Sequence, residues 1–283
     1  METTAAAPTP PTTTVGRMGR LIAIEAAKLS DDEARFLVDA YYMMQEDRKR
    51  TNNQARAVAQ GADAQNAVSS NQVLRYLAEQ TTILENQIKR ALDIYTDAHF
   101  MGSWLREIVG IGPVIAAGLL AHIDIEKAPT VGHIWRYAGL DPTSKWEKGQ
   151  KRPWNASLKT LCWKAGQSFM KLSNHEGCYY GHIYKERKQY EQDRNDRMEN
   201  VQVAANILAT KNIGKTTEAY KHLSIGKLPP GQIDARARRY AVKLFLSHLH
   251  GVWYQRYFGK EPPLPYPIAI LGHAHMKPAP VPA

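Results

Sequence analysis

The sequence has only two cysteines, Cys162 and Cys178, in 283 residues, too few for a disulfide framework. A reducing compartment is the expectation, and the chain reads as cytoplasmic. Long hydrophobic runs are also lacking. The longest uncharged stretch, Ile108 to Ile123, is 16 residues and contains three glycines and a proline, short of the ~20 apolar residues a membrane-spanning helix needs. Met1 and Glu2 lead into a Thr/Ala/Pro run, not into the basic-then-apolar start of a signal peptide. Few segments show the period-two alternation of a strand, which leaves helix as the structural material.

Acidic charge is scarce in one part of the chain. Residues 1–100 carry 11 basic and 13 acidic side chains, whereas residues 101–283 carry 26 and 14, so the net charge of +10 belongs to the C-terminal two-thirds. An excess of that size favours a polyanionic partner, with nucleic acid the first expectation. A hydrophobic content of 43% is enough to build a folded core.

Thr, Pro and Ala dominate residues 1–16, and the prolines return over 260–283, so both ends are expected to be tails. Between them, residues 17–101 read as a helical arm. Ser30-Asp31-Asp32-Glu33 has capping-box spacing, and Phe36, Leu37, Ala40, Tyr41 and Met44 follow at helical intervals, predicting a helix from Asp31 to about Gln60. After Gly61, Val73, Leu74, Leu77, Ile83, Leu84, Ile88, Leu92 and Ile94 predict a second helix reaching about Val109, long enough to act as a coiled-coil-like platform and to join copies of the chain. The acids at Asp31, Asp32, Glu33 and Asp39 fit the dipole of a first helical turn and need no metal.

From 102 to 259 the texture changes to shorter helices punctuated by Gly and Pro. Helices are expected over Val131 to Ala138, Trp154 to Leu172, Tyr179 to about Thr210 and Ile233 to Phe258. The sharpest local signal is Ile108-Val109-Gly110-Ile111-Gly112-Pro113-Val114. Glycines permit an unusual turn and a proline suits the first turn of the next helix, the pattern of a helix-hairpin-helix. Amides at the start of that second helix, around Gly110, Gly112 and Val114, can hold a phosphate oxygen. Close helix packing is the competing explanation for the same glycines.

Between Pro142 and Leu172 there are seven basic residues and one acid. Lys145, Lys148, Lys151 and Arg152 form a basic loop, Asn155 and Lys159 open the next helix, and Trp146 and Trp154 flank the loop, where indoles stack on bases or pack in a core. Arg236 and Arg239, near Arg238 and Lys243 at the start of an otherwise apolar helix, offer a second phosphate contact. His175, Glu176, Cys178, His182 and Cys162 lack the paired short spacings of a zinc site. Neither a metal site nor a cofactor is expected.

The ordered blocks Leu105-x-x-Ile108-Val109-Gly110-Ile111-Gly112-Pro113-Val114, Tyr137-Ala138-Gly139-Leu140-Asp141-Pro142 and Asn155-x-x-Leu158-Lys159, with the basic loop between the last two, resemble the C-terminal transposase domain of the insertion sequence 110 transposases. The resemblance covers about Leu84 to Tyr190. It implies DNA as partner, with structured RNA a second possibility, and a serine nucleophile working with a nuclease-like domain that carries four acidic metal ligands. Ser144 is the sole serine in the loop and the candidate nucleophile, but Lys145 follows it where the family usually has glycine, and the loop is shorter. No alternating strands precede the hairpin to carry the acids. The expectation is therefore an all-α chain, an extended arm and then a compact helix-hairpin-helix domain, that binds DNA and is not an enzyme alone. The alternatives are a recombinase subunit with a separate nuclease-like partner, and a non-enzymatic helical scaffold.

Overall fold

The computed structural model describes residues 16, 18–61, 64–270, 272 and 277–280. The expected tail over 1–16 lies almost wholly outside the described residues, as do His273, His275 and much of the expected tail over 260–283. The described residues are predominantly helical and contain no strand, so the fold class is all-α. None of their helices is long and apolar enough to cross a membrane. The chain divides into two compact units, the first ending at Ala98 and the second starting at His99.

The first unit is a helical hairpin. A short helix α1 (Arg20–Ala26), absent from the sequence expectation, precedes α2 (Asp31–Gly61) and α3 (Ala64–Ala98). The capping box forms: Ser30 N donates to Glu33 Oε2 (2.8 Å) while Glu33 N donates back to Ser30 Oγ (3.3 Å). Arg48 donates twice to Glu85 and Tyr95 donates to Asp31, pairings that fix α2 and α3 as antiparallel. Ala34 and Val38 of α2 and Ala78, Leu92 and Tyr95 of α3 are buried in this unit.

The expected continuation of α3 to Val109 does not occur. His99 takes the Met101 amide on Nδ1 (3.1 Å) and the Gly102 amide on its carbonyl (2.7 Å), and such local bonds compete with the helical ladder. Met101 is then fully buried. The second unit follows with α4 (Gly102–Glu107), α5 (Pro113–His122), α6 (Val131–Tyr137), α7 (Ala156–Lys171), α8 (Tyr179–Asp196), α9 (Val201–Thr210), α10 (Glu218–Ser224), α11 (Pro230–Phe258) and α12 (Tyr266–Ala269).

The single helix expected over Tyr179 to Thr210 is two. Asn195 is buried and pairs with both polar atoms of the Leu228 backbone, and Asn200 donates to Asn195, so the chain turns where these amides find partners. Helix α11 organises the core. Phe245 meets the rings of Trp104, Phe169 and Tyr180 at 6.3, 5.5 and 5.2 Å, bringing α4, α7 and α8 together. Each ring so buried contributes about 1.5–3 kcal/mol of hydrophobic stabilisation. Pro230 at the first turn and Gly259, left-handed at φ 63°, start and stop the helix.

Candidate nucleic-acid interface

The loop between α6 and α7 is held at its root by Asn155. Its Oδ1 accepts from Leu158 N (2.8 Å), capping α7, while its Nδ2 donates to Tyr137 Oη (3.0 Å). Both polar ends of this predicted contact residue therefore hold the scaffold. Asp141 Oδ1 accepts from the backbone N and the hydroxyl of Thr143, and these bonds keep its carboxyl below the usual range. At the tip, Trp146 Nε1 donates to the Gln150 carbonyl (2.8 Å).

This frame presents Lys145, Lys148, Lys151 and Arg152 to solvent, and no ion pair among the described residues engages any of them. Arg152 instead lies over the Trp146 ring, 5.1 Å from its centroid. Lys159, one turn into α7, places its ammonium 4.1 Å from the centroid of the Trp154 ring. Burial, then the charges of Arg152 and Arg239, push its pKa down. Arg152 of the loop, Lys159 of α7 and Arg239 of α11 thus share one neighbourhood. Burial likewise lowers Lys243, whose ammonium sits 4.2 Å from the Trp135 centroid, although Asp141 pulls the other way. Burial is the larger cause at both lysines, and at Lys159 the neighbouring Arg152 and Arg239 add repulsion that a bound anion would relieve.

The Gly-Ile-Gly turn is formed but stands elsewhere. Gly110 has φ +103°, and a side chain there would meet Phe169 at 3.0 Å. That contact sets the turn against the far end of α7, about 15 Å along the axis from Lys159 at 1.5 Å per residue. Gly112 is exposed at the N-cap of α5, with Pro113 in the first turn and no side chain capping the helix. The side chain of Val114 is buried, so only its backbone amide is available to a ligand.

Arg236 is occupied differently. It pairs with Glu191 (3.2 Å) and donates to Asn200 (3.0 Å), inside a network in which Arg187 and Arg194 also face Glu191. Ser144 Oγ is buried with no hydrogen-bond partner. The described residues hold no group of three His, Cys, Asp or Glu side chains arranged for a metal. Cys178 instead donates to the Val109 carbonyl (3.4 Å), and burial pushes the Cys162 thiol up to about 12.

Sequence reasoning passed over Trp163. It is 58% exposed on α7, four residues beyond Lys159, and among the described residues no ring or hydrogen-bond partner engages it. The signal was there: the apolar stripe of α7 runs through Leu158, Leu161, Cys162, Ala165 and Phe169, which leaves Trp163 on the polar face.

No curated protein and no solved structure matches the chain. Residues 102–175, from the start of α4 through the turn after α7, match the model of the Transposase IS116/IS110/IS902 family, and this stretch holds the Gly-Ile-Gly turn, the basic loop and α7.

Proposed function

We propose that the second unit binds DNA through its phosphates, in a transposase-related role, using Lys145, Lys148, Lys151 and Arg152 of the loop, Lys159 of α7, and Arg239 and Lys243 of α11. The observation that carries this reading is the exposed loop set Lys145, Lys148, Lys151 and Arg152, engaged by no ion pair among the described residues and lying beside two partly exposed indoles. Free cations lose little on meeting phosphate and gain charge-assisted hydrogen bonds, whereas Arg236, already paired with Glu191, has no such gain. The start of α5 supplies a second contact: uncapped amides beyond Gly112 suit a phosphate oxygen. Phosphate contacts position the ligand without reading its bases.

The first unit supports self-association. Phe36 and Met43, seven residues apart on α2, and Val73, Leu77 and Leu84 on α3 are exposed apolar side chains at heptad-like spacing.

Titration of the full chain with labelled duplex DNA, single strand and structured RNA at two salt concentrations tests the reading. Binding of duplex DNA that weakens steeply with salt is expected. Absence of binding to every ligand at low salt would overturn it.

A further inference from the structure

We propose that Trp163 is a stacking platform for an unpaired nucleobase, so the basic face takes single-stranded or locally unpaired nucleic acid in preference to intact duplex. The inference rests on the phosphate-binding reading above and adds a preference among its ligands. Large aromatic side chains are normally buried, and an indole 58% exposed beside cations is apolar area waiting for a flat, apolar partner with negative charge attached. A nucleotide has both features: a π-face, and a phosphate on either side.

The surroundings of Trp163 supply the charge complementarity. Lys159 lies one helical turn before it on the same face of α7, spaced i to i+4. Arg152 and Arg239 lie close enough to Lys159 to depress its ionisation. Across the α7–α11 seam, Gly166 packs on Val242 and on the Arg238 side chain, whose guanidinium is held by Asp234 at 2.6 Å, so the floor beside Trp163 is rigid. Trp146, 46% exposed on the loop, gives a second indole beside Arg152. Its ring is already engaged by Arg152 and its N–H by Gln150, which leaves Trp163 as the unoccupied ring. Bases paired and stacked in a duplex hide their faces from such a ring; unpaired bases offer them.

The test compares wild type, Trp163→Ala and Trp163→Phe of the full chain, using labelled oligothymidylate, oligouridylate and duplex DNA of equal length at one salt concentration. Thermal melting should be unchanged in both variants because the side chain packs against no ring. For wild type, tighter binding of both single strands than of duplex is expected. Trp163→Ala should weaken single-strand binding about tenfold, the loss of one stacked base, leave the salt dependence unchanged and alter duplex binding less than twofold. Trp163→Phe should keep most of the affinity. If only one of the two single strands shows the loss, the platform stands and that strand is its ligand. Equal losses for single strand and duplex, or unchanged single-strand binding in Trp163→Ala, would overturn the proposal while leaving phosphate binding intact. Wild type that binds none of the three would overturn both readings.

Discussion

The loop between α6 and α7 and helix α8 are both crowded with charge, yet they treat it in opposite ways. On α8, Arg187 and Arg194 face Glu191, Lys188 reaches Asp234, Lys277 meets Glu186 and Lys227 meets Asp196. In the loop, no ion pair among the described residues engages Lys145, Lys148, Lys151 or Arg152, and its two carboxylates take other donors: Asp141 the Thr143 amide and hydroxyl, Glu147 the Gln150 amide (3.3 Å). Charge density alone therefore does not mark an interface. Exposed cations that no acid neutralises are the ones with most to gain from meeting a phosphate.

The largest effect should come from removing the unpartnered set. Replacing Lys148, Lys151 and Arg152 by alanine should weaken duplex binding on the order of 100-fold or more at 0.1 M salt, from three lost phosphate contacts. Folding stability should stay within about 0.5 kcal/mol, since exposed, unpaired side chains hold nothing together. Fluorescence anisotropy and urea denaturation read the two quantities side by side.

The mirror-image change is Glu191→Gln. It leaves Arg187 and Arg236 facing a neutral amide, and should cost about 2–3 kcal/mol of stability, at the low end for broken buried pairs because those arginines keep 30% and 27% of their side chains in water. Binding by the folded variant should be unchanged. A urea midpoint equal to that of wild type would erase the contrast between α8 and the loop.

A smaller effect belongs to the hairpin turn. No atom lies within 4 Å of a side chain built at Gly112, so Gly112→Val should fold normally while its bulk screens the α5 amides and weakens binding by about 1 kcal/mol. Unfolding, seen by circular dichroism, would instead show that the glycine serves packing.

The smallest effect is a pH dependence. Burial first, then neighbouring cations, lowers Lys159, and burial lowers Lys243. A base lowered on folding means that the unfolded chain holds more protons in that window, so these two groups make stability rise with pH just below the ordinary lysine range. Bound phosphate restores their charge, so affinity should fall over the same interval. Anisotropy titrations at rising pH check this, and Lys159→Arg should blunt the fall.

Much of the second unit was legible because its signals are local. The Gly-Ile-Gly-Pro turn and the inward stripe of α7 depend on neighbours a few residues away, whereas Asn155, expected as a ligand contact, caps α7. What escaped depends on distant ones. Arg236 and Arg239 look alike in sequence, but Glu191 and Asn200 claim the first and Lys159 faces the second. The break after Asp196 follows from Asn195 reaching Leu228, 33 residues on. The end of α3 was hidden by an unbroken apolar period that His99 interrupts with its ring nitrogen. Ser144 reads as a loop serine, and only the fold shows its hydroxyl enclosed and without a hydrogen-bond partner.

The central claim, that the unpartnered cations are the ligand-binding charge, is tested most directly by the salt dependence of duplex affinity for wild type and for the Lys148, Lys151 and Arg152 alanine variant. If about six phosphates are contacted, log K should fall with a slope near −5 against log salt for wild type, and roughly −2 to −3 for the variant, since each contact contributes about 0.9. A slope near zero for wild type, or the same slope for both proteins, would contradict the account.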